Sequence, residues 1–190
     1  MGRIVQLEGL FVPFGTKSER GVLRLLDVFI DRIERLDRKC INGFRDIMST
    51  LEIPSQWIES RIPDPLPEGR YDRQLLHQGH DYEVVLAVWP KGIQTLVHDH
   101  GSQASQGMVK VLAGSIFNQT YLPDGDQVRP DSRQVFKSGD LIGVPVGLVH
   151  AMGHTGAGEY AASLHFYTPM IIDVTYWDPK TCRPLMQPSL

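Results

Sequence analysis

A mainly β chain, a sandwich or closed antiparallel barrel preceded by N-terminal α-helices, is the fold this sequence predicts, on three observations. Beyond Arg70, short runs rich in β-branched and aromatic residues alternate with Gly, Pro and Asp turns. Before about Leu51, apolar residues recur every three or four positions, the spacing of amphipathic helices. Between the two, Pro54, Pro63, Pro65 and Pro67 crowd one connecting stretch. At 190 residues, 42% hydrophobic and 22% charged, the chain can bury one substantial core. A single domain over 1–190 is expected, with a helical segment and linker over 1–66 and a barrel with a C-terminal extension over 67–190.

In the first helical segment, from Ser18, the apolar set is Val22, Leu25, Leu26, Phe29, Ile30, Ile33 and Leu36; Arg32, Arg35, Arg38 and Lys39 form a solvated face. A second helix holds Phe44, Ile47, Met48 and Leu51. The stretch "PSQWIESRIPDPLPEG" is expected to be neither regular helix nor central strand, because proline lacks a backbone donor and fixes its own φ. The β-runs follow: "YEVVLAVW" before "PKG", "GMVKVL" before "AG", "SIFNQTYL" before "PDGD", "RQVF" before "KSGD", "LIGV" before "PVG", and "AASLHFY" before "TP". His77 and His80 fall in a loop on this reading, and Trp89 in the core. No internal repeat or low-complexity tract is present.

A net charge of −3 and a pI near 6.1 provide no electrostatic footprint for nucleic acid or an anionic membrane. Cys40 and Cys182 lie far apart and are expected to be free thiols without a catalytic part. The opening "MGRIVQLEGL" lacks the pattern of a secretory leader, so a cytoplasmic protein is expected.

Two short motifs carry chemistry. "VHDH" sets His98 and His100 one residue apart, which on a strand puts both imidazoles on one face, roughly 7 Å apart. Such a pair is either a surface coincidence or half of a metal site. Downstream, "GDLIGVPVGLVH" places Pro145 and Gly147 just before His150, a turn that would carry His150 onto a neighbouring strand. The two motifs in this order resemble the signatures of the cupin superfamily, whose jelly-roll β-barrel holds a metal in its mouth. The resemblance implies His98, His100 and His150 as metal ligands. It also implies a missing one, since the carboxylate that most metal cupins add has Gly107 in its place. A neutral three-histidine set leaves a divalent ion's charge uncompensated and favours an anionic ligand such as a thiolate. His154, after the last ligand, is expected beside the site or at the surface.

Further fragments narrow the likeness. "YDRQLL" contains Tyr71 and Arg73, Trp89 precedes His98 by nine residues, and "SLHFYTP" puts Ser163, His165 and Tyr167 on one strand face. From about Arg70 to Pro179 the chain resembles the thiol dioxygenase branch of the cupins, most closely the cysteine dioxygenase family in its bacterial form. The resemblance implies Fe(II) on the three histidines, a small thiol and O2 as substrates, and a sulfinic acid as product. It implies that Arg73 holds the substrate carboxylate with Tyr71 beside it, while Tyr167 donates a hydrogen bond or proton and His165 and Ser163 hold its hydroxyl. Without the likeness, Arg73 reads as a surface residue paired with Asp72 or Glu68. Some members carry a cysteine joined to the tyrosine; Gly107 stands there, so Tyr167 is expected to be unmodified. The loop "GSQASQ" is two residues longer than the pattern and would reshape a pocket wall.

Arg73 points to L-cysteine; a slip of one residue would put Gln74 in its place and favour 3-mercaptopropionate, and mercaptosuccinate also suits an arginine. From a different class, a non-catalytic metal-binding cupin module stays open, for which the Ser163, His165 and Tyr167 set has no obvious use. A monomer or weak homo-oligomer is expected.

Overall fold

The computed structural model of the chain describes residues 17–101 and 104–185, with side chains in the first helix from Leu26 onward. The leader reading of the first ten residues, the packing of Val22 and Leu25, and part of the "GSQASQ" loop therefore lie outside the described residues.

Three helices come first: α1 (Lys17–Glu34), α2 (Ile41–Ser49) and α3 (Ser55–Glu59). The last corrects the reading of the proline-rich stretch. Pro54 stands just before it and Pro63 follows it, so the five residues of α3 are free to make one turn, which buries Trp57 and Ile58. No described helix is long and apolar enough to cross a membrane.

Ten strands follow: β1 (Asp72–Gln78), β2 (Glu83–Pro90), β3 (Val97–His98), β4 (Gln106–Ala113), β5 (Ser115–Asp124), β6 (Gln127–Lys137), β7 (Leu141–Val144), β8 (Val149–His154), β9 (Tyr160–Thr168) and β10 (Tyr176–Trp177). They form two five-stranded sheets, β1-β2-β9-β4-β7 and β10-β3-β8-β5-β6, with every pair antiparallel. This is the mainly β cupin barrel that the motifs imply. Two strands escaped the sequence reading: the two-residue β10, and β1, an edge strand of polar composition that among the described residues pairs with β2 alone. His77 therefore sits on a strand and not in a loop, and Arg73 lies within β1 rather than ahead of the first run.

The run "EVVLAVWP" of β2 is buried along its whole length because both of its faces are covered. Val84, Leu86 and Val88 face outward onto Phe44, Met48 and Trp57 of the helices. Ala87 and Trp89 face inward, with Val109, Val111 and Met152. The helices thus close the outer face of the first sheet, and each fully buried aromatic or aliphatic side chain there is worth about 1.5–3 kcal/mol. Polar contacts set their position: Lys110 Nζ donates to the Met48 and Leu51 carbonyls at the end of α2, at 2.9 and 2.6 Å, and Tyr82 donates to Glu34 at 2.8 Å. With the outer face sealed, the barrel opens at its mouth, where β1, β2, β8, β9 and β10 surround a cavity of about 360 Å³.

Candidate metal centre and its cavity

The two histidine motifs meet across one strand pair, with His98 on β3 directly opposite His150 on β8. Pro145 and Gly147 shape the turn that delivers His150. Gly147 takes φ +76°, a conformation side chains rarely adopt, and Leu148 N donates back to the Pro145 carbonyl at 3.2 Å. The strand geometry expected of the first motif needs correction, because β3 ends at His98 and His100 lies in the irregular segment after it. Asp99, between them, holds that segment in shape: its Oδ1 accepts from Gly101 N at 3.0 Å and Thr175 N at 2.9 Å. The outcome is compact, with one ring nitrogen from each of His98, His100 and His150 lying within 4.8 Å of the others.

Two of the three rings are oriented by hydrogen bonds. His98 Nδ1 donates to the Leu96 carbonyl at 2.9 Å and His150 Nδ1 to Asn118 Oδ1 at 2.7 Å, which leaves both Nε2 lone pairs free. His150 Nε2 and both ring nitrogens of His100 are buried without a hydrogen-bond partner among the described residues. Buried nitrogen lone pairs converging on one point are costly unless a Lewis acid takes them, so the residues fit a metal ion. Burial, and for His100 and His150 also the neighbouring histidines, lowers all three imidazoles, His100 to about 4. They are therefore neutral and competent as ligands at neutral pH.

Beside this centre, β9 presents Ser163, His165 and Tyr167 on its inward face as one hydrogen-bonded chain. Trp89 Nε1 donates to Ser163 Oγ at 2.8 Å, Ser163 Oγ contacts His165 Nε2 at 2.8 Å, and His165 Nδ1 contacts Tyr167 Oη at 2.9 Å. The indole of Trp89 can only donate, so Ser163 Oγ accepts from it and keeps a second lone pair and its own proton. When the buried serine's proton goes to His165 Nε2, His165 is protonated on Nδ1 and donates to Tyr167, whose own hydroxyl proton is left for the cavity. Burial, reinforced by the charge of Arg73, holds His165 down at about 3, and burial pushes the Tyr167 phenol up. The ring is thus neutral and the phenol protonated. Trp89, read as core from sequence, is also a cavity wall, stacked on Tyr71 with ring centroids 4.7 Å apart.

Arg73 and Gln74 part company on β1. Arg73 lines the cavity, whereas Gln74 turns away to donate to the Arg61 carbonyl at 2.8 Å and Asp72 at 2.7 Å. The acidic partner of Arg73 is neither Asp72 nor Glu68 but Glu83 of β2, at 2.7 Å. Gly107 of β4 faces Tyr167. A Cβ built there would fall on the Phe166 carbonyl oxygen and within 2.7 Å of Tyr167 Cδ1, so neither a cysteine nor a carboxylate ligand fits. Gly107→Cys is expected to destabilise the fold by about 1–3 kcal/mol through overpacking, without forming a thioether; chemical denaturation and intact mass check both. His154 is buried at the end of β8, outside the cavity lining, and Cys40 and Cys182 are free thiols that do not line it.

The depressed histidines also predict how the metal-free protein responds to pH. An unfolded imidazole takes up its proton near 6.5, whereas folded His100 and His165 do so only near 4 and 3. Below pH 6.5 the unfolded chain therefore binds more protons, and stability falls with pH through that window. The expected slope is about 1.4 kcal/mol per pH unit for each group until its folded value is reached. Urea unfolding of metal-free protein at pH 7.5, 5.5 and 4.5 checks this.

Four contributors lay beyond sequence reasoning: Glu83, Asn118, Asp99 and the bond from Trp89 to Ser163. Asp99 had a local signal, since it sits inside the His-Asp-His motif. The other three depend on strand register, which places residues 10, 32 and 74 positions apart in contact.

Comparison with known proteins adds the following. The family described as cysteine dioxygenase type I matches residues 36–180. Among solved structures, the Thermus thermophilus protein TT1209 is 16% identical, covering 63% of this chain and 99% of its own at a TM-score of 0.48. A Klebsiella pneumoniae protein described as having a double-stranded β-helix domain is 18% identical, covering 64% and 94% at 0.46. An oxalate oxidase in complex with glycolate is 12% identical, covering 62% and 60% at 0.49.

Proposed function

The chain belongs to the cysteine dioxygenase type I family of the cupin superfamily, and from that premise we propose that it is an Fe(II)-dependent dioxygenase that converts L-cysteine to cysteine sulfinate. In the balanced reaction one thiol and one O2 form one sulfinic acid: both oxygen atoms join sulfur, which loses four electrons to the dioxygen, and the product ionises by releasing a proton.

The observation that carries the reading is the hydrogen-bonded chain from Trp89 through Ser163 and His165 to Tyr167, which opens into the cavity lined by Arg73, His98 and His150, with His100 packed beside the Tyr167 ring. A protein that only binds metal has no use for a phenol held protonated and aimed inward. His98, His100 and His150 would hold the iron, which when bound supplies the dioxygen chemistry. Arg73 would bind the substrate carboxylate through the guanidinium edges not engaged by Glu83, fixing the orientation of the sulfur. Tyr71, stacked on Trp89, would close the cavity beside that carboxylate and exclude water. Tyr167 would donate its proton to charge developing on oxygen, while His165 and Ser163 keep that hydroxyl in register. The choice of cysteine over 3-mercaptopropionate is supported by Arg73, and not Gln74, lining the cavity.

Oxygen uptake by the Fe(II)-loaded protein with L-cysteine, 3-mercaptopropionate and mercaptosuccinate, each offered separately, tests the proposal. A gain of two oxygen atoms on cysteine by mass supports it. Uptake with another thiol alone overturns the substrate, and no uptake by iron-loaded protein favours the non-catalytic metal-binding module.

A further inference from the structure

The cation that would receive the substrate's carboxylate already has a partner. Arg73 Nη2 donates to Glu83 Oε2 at 2.7 Å, and Glu83 is itself buried, with 7% of its surface exposed. Its other oxygen, Oε1, has no hydrogen-bond donor among the described residues. Strand register sets Glu83 directly opposite Tyr167, so the carboxylate lies at the level of the phenol. Of the residues lining the cavity, Arg73 is the single permanent cation and Glu83 the single carboxylate. Their charges cancel, and the lining histidines are neutral.

We propose that Glu83 is a specificity-determining residue that restricts the cavity to thiols carrying one carboxylate and rejects those carrying two. The inference rests on the thiol dioxygenase reading of this cavity and sharpens its substrate class. A guanidinium whose Nη2 is held by Glu83 has one fork left, enough for one carboxylate. A second carboxylate on the same small molecule finds no further cation among the lining residues and lies near a buried anion. Arg73 is already shared between Glu83 Oε2 and the first carboxylate and no donor answers Oε1, so a second negative charge in this low-dielectric cavity meets net repulsion. Selectivity here comes from a repulsive element, with Arg73 supplying the attraction.

Anaerobic titration calorimetry of the Fe(II)-loaded protein with L-cysteine, 3-mercaptopropionate and mercaptosuccinate reads binding apart from turnover. Wild type is expected to bind the two monocarboxylates at least about tenfold more tightly than mercaptosuccinate. Glu83→Gln, which removes the charge and keeps the shape, is expected to narrow that ratio by tenfold or more, whereas Glu83→Asp, which keeps the charge, retains it. Equal binding of all three thiols by wild type overturns the inference whether or not a variant folds. So does an unchanged ratio in Glu83→Gln, which would leave Glu83 as a mere prop for Arg73. The expected binding pattern without oxygen consumption would instead sink the dioxygenase reading and leave the charge selectivity standing.

Discussion

Replacing His150 with alanine is expected to leave a folded protein that no longer retains metal after dialysis and has lost all measurable turnover. His150 is fully buried, lies opposite His98 in the strand pair and offers an Nε2 with no other partner among the described residues. Its loss leaves two ligands on a segment, residues 98–100, that has no partner strand of its own beyond His98. A graded comparison comes from Asn118, which holds the His150 ring through Nδ1 at 2.7 Å. Asn118→Ala keeps all three ligands and frees only the ring, so metal affinity is expected to fall by about 10–100-fold without vanishing. Metal analysis and competition with a chelator separate the two variants. Equal retention by His150→Ala and wild type would remove His150 from the ligand set.

The second large effect is expected at Tyr167. Tyr167→Phe keeps the ring that packs at 5.6 Å from His100 and removes only the hydroxyl, so metal content is expected to stay unchanged while turnover falls by about 10²–10⁴-fold, the usual worth of a positioned proton donor. His165 would lose the acceptor for its Nδ1 proton, and its burial makes re-protonation elsewhere costly. Trp89→Phe tests the direction of the same chain. Without the indole N–H, Ser163 Oγ loses its one fixed donor, so the balance shifts toward the His165 tautomer in which Ser163 accepts from Nε2–H and Tyr167 donates inward to Nδ1. The expected loss is smaller than for Tyr167→Phe, and it comes with a changed ¹⁵N signature of His165 in the metal-free protein. Full activity in Tyr167→Phe would overturn the proton-donor role.

Local spacing carried much of this protein. The helical repeat of Phe29, Ile33, Phe44, Ile47 and Met48 predicted the residues that seal the outer face of the first sheet, because amphipathic periodicity records which side of a helix is covered. The alternation of Ser163, His165 and Tyr167 predicted one hydrogen-bonded face, because successive side chains of a strand point to opposite sides. Pro145 and Gly147 marked the turn that sets His150 opposite His98, since that turn needs a positive φ. Where the reading fell short, the deciding contacts were distant in sequence. The edge strand β1 has no apolar signature because only part of it is covered, and α3 is too short for periodicity to register. By itself, then, the sequence determined α1, α2, most strands, the two histidine motifs and the shared face of Ser163, His165 and Tyr167, each written in short local spacings, while the union of the two motifs in one metal set came from the family resemblance. Only the tertiary structure decided that Glu83 neutralises Arg73, that Asn118 aims His150 and that Trp89 anchors the chain to Tyr167 through Ser163. Each of those pairs is made by strand register and packing between residues with no local relation to one another.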